Sequence, residues 1–169
     1  MGQGTNSYNN VQLSRYIAAV ANRGTVFELS LLDKLTDSDG NLITDYTPSV
    51  SSHVDAADST WDAVQTGMRA VVSEGSAKDI FKDLEVEIAG KTGTAQENQD
   101  KPNHALFIGY APYDTPEIAM AVRITNGYSS TNAASVAKDI VSYYFKLKDE
   151  SDIITNTAAN VNVSNSFAD

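Results

Sequence analysis

The chain of 169 residues predicts an α+β fold, an antiparallel sheet flanked by helices. Two nearly continuous apolar runs, 105–110 and 118–124, have the length and composition of strands covered on both faces. Only a short polar connection containing Asp114-Thr115-Pro116 separates them, which favours antiparallel return over a crossover. Apolar residues at helical spacing lie on either side of this strand region, giving helices to cover the sheet. With 41% hydrophobic residues the chain can bury one core, and no second domain is needed.

Taken in order, the elements each have a local cause. Asn9 or Asn10 caps a first helix in which Val11, Tyr16, Ile17, Val20 and Ala21 recur at helical spacing, and Gly24 ends it. Residues 25–36 and 41–47 read as strands joined by a turn at Asp39-Gly40. Ser59 caps a second helix with Asp62 as its capping-box partner. Trp61, Val64, Met68, Val71 and Val72 form its buried stripe, and Gly75 closes it. Glu85-Val86-Glu87-Ile88 alternates charged and apolar residues, which predicts a strand with one wet face running into Lys91. That strand takes the edge of the sheet. A last helix over about 133–147 buries Ala133, Val136, Ala137, Ile140, Val141 and Tyr144 against it. The organisation is then a domain over 1–148 and, over 149–169, a polar and weakly ordered tail of Asn, Ser, Ala and Thr.

The run Ala89-Gly90-Lys91-Thr92-Gly93-Thr94-Ala95 carries the chemistry. Lys91 supplies a fixed positive charge, and the hydroxyls of Thr92 and Thr94 are short donors suited to a carboxylate. Gly93 has no side chain, so an extended ligand backbone can lie against the strand edge and pair with it. The Thr94 N–H is placed to form half of an oxyanion hole, a kind of donor whose loss costs on the order of a hundredfold in rate. These features suit the wall of an acyl-transfer cleft. The rival is a phosphate loop, because Gly90-Lys91-Thr92 copies the end of the Walker A pattern. That pattern needs a glycine where Glu85 stands, and it needs a helix where Gly93 and the polar stretch 96–103 read as strand end and loop. The nucleotide reading is therefore rejected.

Further segments fall in a telling order. They are Gly2-Gln3-Gly4, Val11-Gln12-Leu13, 18–24, Gly67-Met68 with Val71-Val72 and Gly75, the 89–96 run, and 104–112 beginning His104-Ala105. Together these resemble the C-terminal portion of the transpeptidase domain of class B penicillin-binding proteins, and the resemblance covers nearly everything from Gly2 to Lys148. Two departures are tolerable: Asn9-Asn10 stands where the family usually has Thr-Pro, and Glu28-Leu29-Ser30-Leu31 replaces a strand with a usual proline. The resemblance implies a partial penicillin-binding-protein/β-lactamase-like transpeptidase fold, with 1–148 as the C-terminal part of the domain. It implies peptidoglycan D,D-transpeptidation, with Lys91 and Thr94 as catalytic residues and Thr92, Gly93, Thr94 and Ala95 binding a stem peptide or a β-lactam. The alternatives are a non-catalytic scaffold module of the same fold and a fragment of a β-lactamase or D,D-carboxypeptidase; the 2–24 segment favours the transpeptidase.

In the family, the nucleophile motif Ser-x-x-Lys and the Ser-x-Asn motif lie upstream of the Gly-Gln-Gly segment with which this chain opens. The expectation is that this chain alone is inactive. Lookalikes occur: Ser135-Val136-Ala137-Lys138 fits Ser-x-x-Lys, but it reads as the solvent face of the last helix. Ser7-Tyr8-Asn9 and Ser130-Thr131-Asn132 fit Ser-x-Asn, but they read as helix caps.

Composition bounds the partners. A net charge of -10 argues against nucleic acid or anionic lipid. The absence of cysteine excludes disulfides and thiolate metal sites, and His53 and His104 are too few for a metal centre, so neither metal nor cofactor is expected. His104 reads as a partly exposed strand-end residue. No apolar run approaches bilayer length, whereas family members are anchored at the extracytoplasmic face of the bacterial cell membrane. The family sheet has further strands, one of which pairs beside 118–124. That strand should therefore have an open edge here and associate with a second copy or with a polypeptide carrying the missing part of the domain.

Overall fold

The computed structural model describes residues 7–97 and 100–154. Its centre is a three-stranded antiparallel sheet in the order β5-β6-β7, formed by β5 (Ala89–Ala95), β6 (His104–Ala111) and β7 (Ile118–Ile124). Ahead of it lie α1 (Asn10–Ala21), β1 (Thr25–Phe27), β2 (Lys34–Thr36), β3 (Leu42–Asp45), β4 (Val50–His53), α2 (Asp58–Ser73) and the one-turn α3 (Lys78–Phe81); α4 (Ser130–Tyr144) and the one-turn α5 (Glu150–Ile153) follow. The fold is α+β, as the apolar runs require.

Strand alternation divides β6 between two cores. Ala105, Phe107 and Ala111 join Met120 and Val122 of β7 in a cluster closed by Ala133, Ala134, Ala137 and Val141 of α4 and by Val72, Ala77 and Phe81. On the opposite face Tyr110 and Ala89 pack on Ile17 of α1, with Met68 and Ile108 beside them. The sheet is thus a middle layer, and its central strand is buried almost throughout.

Asn9 caps α1 through a full capping box with Gln12, and Gly24, at φ 107, lies just past the helix end. Val11 and Tyr16 are nonetheless exposed; Ala19 joins Ile17 and Val20 as the buried set. The expected long strands at 25–36 and 41–47 are shorter and paired differently. β1 pairs antiparallel with β4, which was not foreseen, and β2 with β3, the latter turning around Asp37, whose carboxylate accepts from the N–H groups of Asp39 and Asn41.

α2 starts one residue before Ser59, which caps nothing; Ala57 holds the N-cap position without a side-chain bond. Asp62 is drawn away from the expected box by Arg23, whose Nη2 lies 2.8 Å from its carboxylate. Val64 is exposed, and Gln65 turns inward instead, donating from Nε2 to the carbonyls of Val20 and Ala21 at the C-terminal end of α1. The stretch 85–88 is not strand. Its backbone goes to other partners, with Glu87 C=O accepting from Tyr113 N–H and Ile88 C=O from Arg69.

The last helix begins at Ser130, capped by Ser129, and buries small residues: Ala133, Ala134, Ala137, Val141 and Ser142. Val136, Ile140 and Tyr144, expected against the sheet, face outward instead and with Tyr143, Ile153 and Ile154 line an apolar groove of about 590 Å³ between α4 and α5. Close approach of a helix to a sheet selects alanine on the inner face, which moves the larger apolar residues outside. Of the expected tail, 149–154 are described and contain α5; 155–169, like Gly2-Gln3-Gly4, lie outside the described residues.

Candidate active site

β5 hydrogen-bonds to β6 alone, so among the described residues its other edge has no strand partner. All five positions expected to act, from Lys91 to Ala95, lie on this edge strand, and Lys91 and Thr94 are its most exposed residues. The register pairs Thr92 with Phe107 and Lys91 with Ile108. Thr92 and Thr94 therefore share one face of the sheet, and Lys91, Gly93 and Ala95 the other. An edge strand is reached from both faces at once, so the ammonium and the two hydroxyls border the same free edge.

The packing around the two glycines differs. A Cβ on Gly90 would meet Phe107 Cζ at 2.3 Å, so the fold requires glycine there. A Cβ on Gly93 would meet only Leu106 Cβ, at 3.4 Å, an ordinary contact. Internal packing does not require Gly93 to be bare.

Electrostatics leave Lys91 conspicuous. Its Nζ donates to the carbonyl of Thr92 at 2.7 Å, and among the described residues it makes no ion pair. In a chain of net charge -10, this is a cation without a carboxylate, offered at an open edge. The Thr92 hydroxyl lies 2.9 Å from Ser76 Oγ, whereas that of Thr94 has no internal partner among the described residues.

Three further groups hold this strand, and none was legible from spacing. Arg69 on α2 clamps the approach to β5, with Nη2 2.7 Å from Glu87 and Nη1 reaching the carbonyl of Ile88. At the far end His104 is buried, not partly exposed, and both ring nitrogens are engaged. Nδ1 accepts from Asn126 N–H at 3.0 Å, which places the ring proton on Nε2, 2.6 Å from Glu97. That hydrogen bond from His104 holds the Glu97 carboxyl below its ordinary pKa. Ser76 is the third group, in the turn between α2 and α3. In the sequence Gly75 marks only a helix stop, and the serine after it carries no separate signal.

The lookalike motifs are accounted for. Ser135 Oγ donates to the carbonyl of Thr131 one turn back, on the exposed face of α4. In Ser7-Tyr8-Asn9 the asparagine is the α1 cap, and in Ser130-Thr131-Asn132 the Asn132 amide donates to Gly127 C=O while Ser129 does the capping. No cluster of three metal-binding side chains occurs among the described residues.

A family model described as penicillin-binding protein transpeptidase domain matches residues 1–142. The chain belongs to the class B penicillin-binding transpeptidases. Among its relatives, the peptidoglycan D,D-transpeptidase MrdA of Haemophilus influenzae is 30% identical over 166 residues, which cover 85% of this chain and 25% of that protein. A crystal structure of Pseudomonas aeruginosa PBP2 in complex with WCK 5153 is 36% identical, with a TM-score of 0.70 over 88% of this chain and 32% of that one. Penicillin-binding protein A of M. tuberculosis, in its imipenem acyl-enzyme complex, shares the fold at a TM-score of 0.73 and 23% identity, over 85% of this chain and 32% of that one. The chain spans about a quarter of the length of the curated relatives it matches. Among the described residues of this transpeptidase-family chain, no helix is long and apolar enough to cross a membrane.

Proposed function

We propose that this chain is the substrate- and β-lactam-binding portion of a peptidoglycan D,D-transpeptidase acting at the extracytoplasmic face of the bacterial cell membrane. In that reaction a serine supplied by another part of the domain attacks the carbonyl between two terminal D-alanines. Its Oγ–C bond forms, the C–N bond breaks, and the leaving amine of D-alanine takes the proton. The amine of a second stem peptide then attacks the acyl-serine, forming the cross-link and returning the proton to the serine. A β-lactam enters by the same first step, with its ring nitrogen as the tethered leaving group.

This chain contributes the wall opposite that serine. Thr92 and Thr94 hold the terminal carboxylate, Lys91 supplies the compensating charge, and the Thr94 N–H faces the developing oxyanion. Gly93 and Ala95 leave the edge open for the ligand backbone. The observation that carries the reading is the edge of β5 that is free among the described residues, where a cation with no ion pair among them stands beside a glycine that packing does not demand. The rest of the domain completes the sheet beside β7.

Two measurements test it. Intact mass spectrometry of the chain with a fluorescent penicillin is expected to show no covalent adduct, and a stoichiometric adduct on Ser135 would overturn the assignment of roles. NMR titration with a peptide ending in D-Ala-D-Ala is expected to shift the amides of 91–95 more strongly for the free acid than for the C-terminal amide. Equal response to both would remove the carboxylate clamp.

A further inference from the structure

Ser76 lies 16 residues before Thr92 in sequence, yet the two hydroxyl oxygens are 2.9 Å apart. The serine is held by backbone on either side. Gly75 N–H donates to Ala70 C=O at 2.8 Å and Ala77 N–H to Val71 C=O at 3.1 Å, tying the turn to the last residues of α2. Ala77 is fully buried, and a side chain on Gly75 would strike the backbone of Val71 at 2.9 Å. The turn therefore fits closely, and Ser76 reaches β5 from it through a side-chain hydrogen bond. Thr92 is β-branched and stiff about χ1, so the pair has little freedom to part.

Two hydroxyls in mutual contact hold two protons, of which one is shared between them and one remains. We propose that Ser76 is a positioning residue: its O–H donates to Thr92 Oγ1, and this directs the Thr92 O–H outward to the carboxylate of the bound peptide. The inference rests on the reading of β5 as a carboxylate-binding strand. A donor that itself accepts a hydrogen bond is polarised and gives a stronger bond to an anion. Without Ser76 the Thr92 rotor is free to turn to other acceptors, and the anion meets a donor that must first be oriented. The helix-to-helix turn thus sets the specificity of the neighbouring strand for a free carboxy terminus.

The test is NMR titration of the full chain with a D-Ala-D-Ala peptide as the free acid and as its C-terminal amide. The expected result is that Ser76→Ala weakens acid binding about threefold to tenfold, the loss of one hydrogen bond, and leaves amide binding unchanged. Ser76→Thr restores acid binding, and the thermal midpoint of Ser76→Ala stays at the parent value. Three results would overturn the proposal. If Ser76→Ala binds the acid like the parent while Thr92→Val loses it, Thr92 acts alone and the strand reading survives. If Ser76→Ala weakens acid and amide equally, the serine only supports the turn. If the parent chain itself shows no preference for the acid, the strand reading fails and this inference with it.

Discussion

Gly90 and Gly93 stand three residues apart on β5 under opposite constraints. Gly90 lies against the Phe107 ring, so Gly90→Ala forces an overpacked core and is expected to lower stability by about 1–3 kcal/mol in urea unfolding. Gly93→Val meets no such obstacle and is expected to stay within about 1 kcal/mol of the parent, since strand positions tolerate β-branching. The same valine is expected to abolish the titration response to a D-Ala-D-Ala acid, so that stability and binding separate at this position. Tyr110 makes a different point. Its hydroxyl is buried with no hydrogen-bond partner among the described residues, and burial lifts the phenol from 10.0 to about 12. Tyr110→Phe removes an unsatisfied group and is expected to raise stability by about 1 kcal/mol. Because the folded pKa is raised, the protonated phenol's contribution is intact below pH 10 and is lost as pH rises towards 12; the phenylalanine variant should lack that alkaline loss.

At the level of elements, β5 is a strand clamped at both ends and open along one side. Arg69 fixes its approach and the Glu97–His104 pair its exit, tying the exit also to Asn126, which stands at φ 54 after β7. The Glu97 carboxyl is held below its ordinary value of 4.5, so its contribution is complete above that pH and disappears as pH falls through the lowered value. Glu97→Gln is expected to flatten this acid-side loss, which hydrogen exchange at 94–96 would read directly. A variant that retains the parent's acid dependence would place the effect elsewhere. Periodicity and turn chemistry made the three sheet strands, α1 and α4 legible, because each carries its own apolar pattern and stop. They failed where a long-range polar contact overrode a local rule. Arg23 took Asp62 from its box, Gln65 took the inward place of Val64, and the Glu85-Val86-Glu87-Ile88 alternation lost to bonds made by its backbone with Tyr113 and Arg69.

Across the whole molecule, the sheet has two free edges among the described residues, at β5 and at β7. One serves the proposed ligand; the other, apolar and seven residues long, is the natural seat of a neighbouring strand. The isolated chain is therefore expected to elute above its monomer mass of 18.1 kDa in size exclusion with light scattering, and a clean monomer at low micromolar concentration would count against strand pairing. The candidate site was legible as a strand motif, since Lys91, Thr92, Gly93 and Thr94 are contiguous. Ser76 and the clamps were not, because no local pattern announces a contact 16 residues distant.

The β2–β3 hairpin stands apart from all this. Every residue of both strands is exposed, and at its tip a side chain on Gly40 would begin in open space, clear of every described residue but its chain neighbours. A peptide epitope spliced between Asp39 and Gly40 would ride on that exposed arm, letting the protein be immobilised for surface-based assays through a segment that belongs to neither buried core.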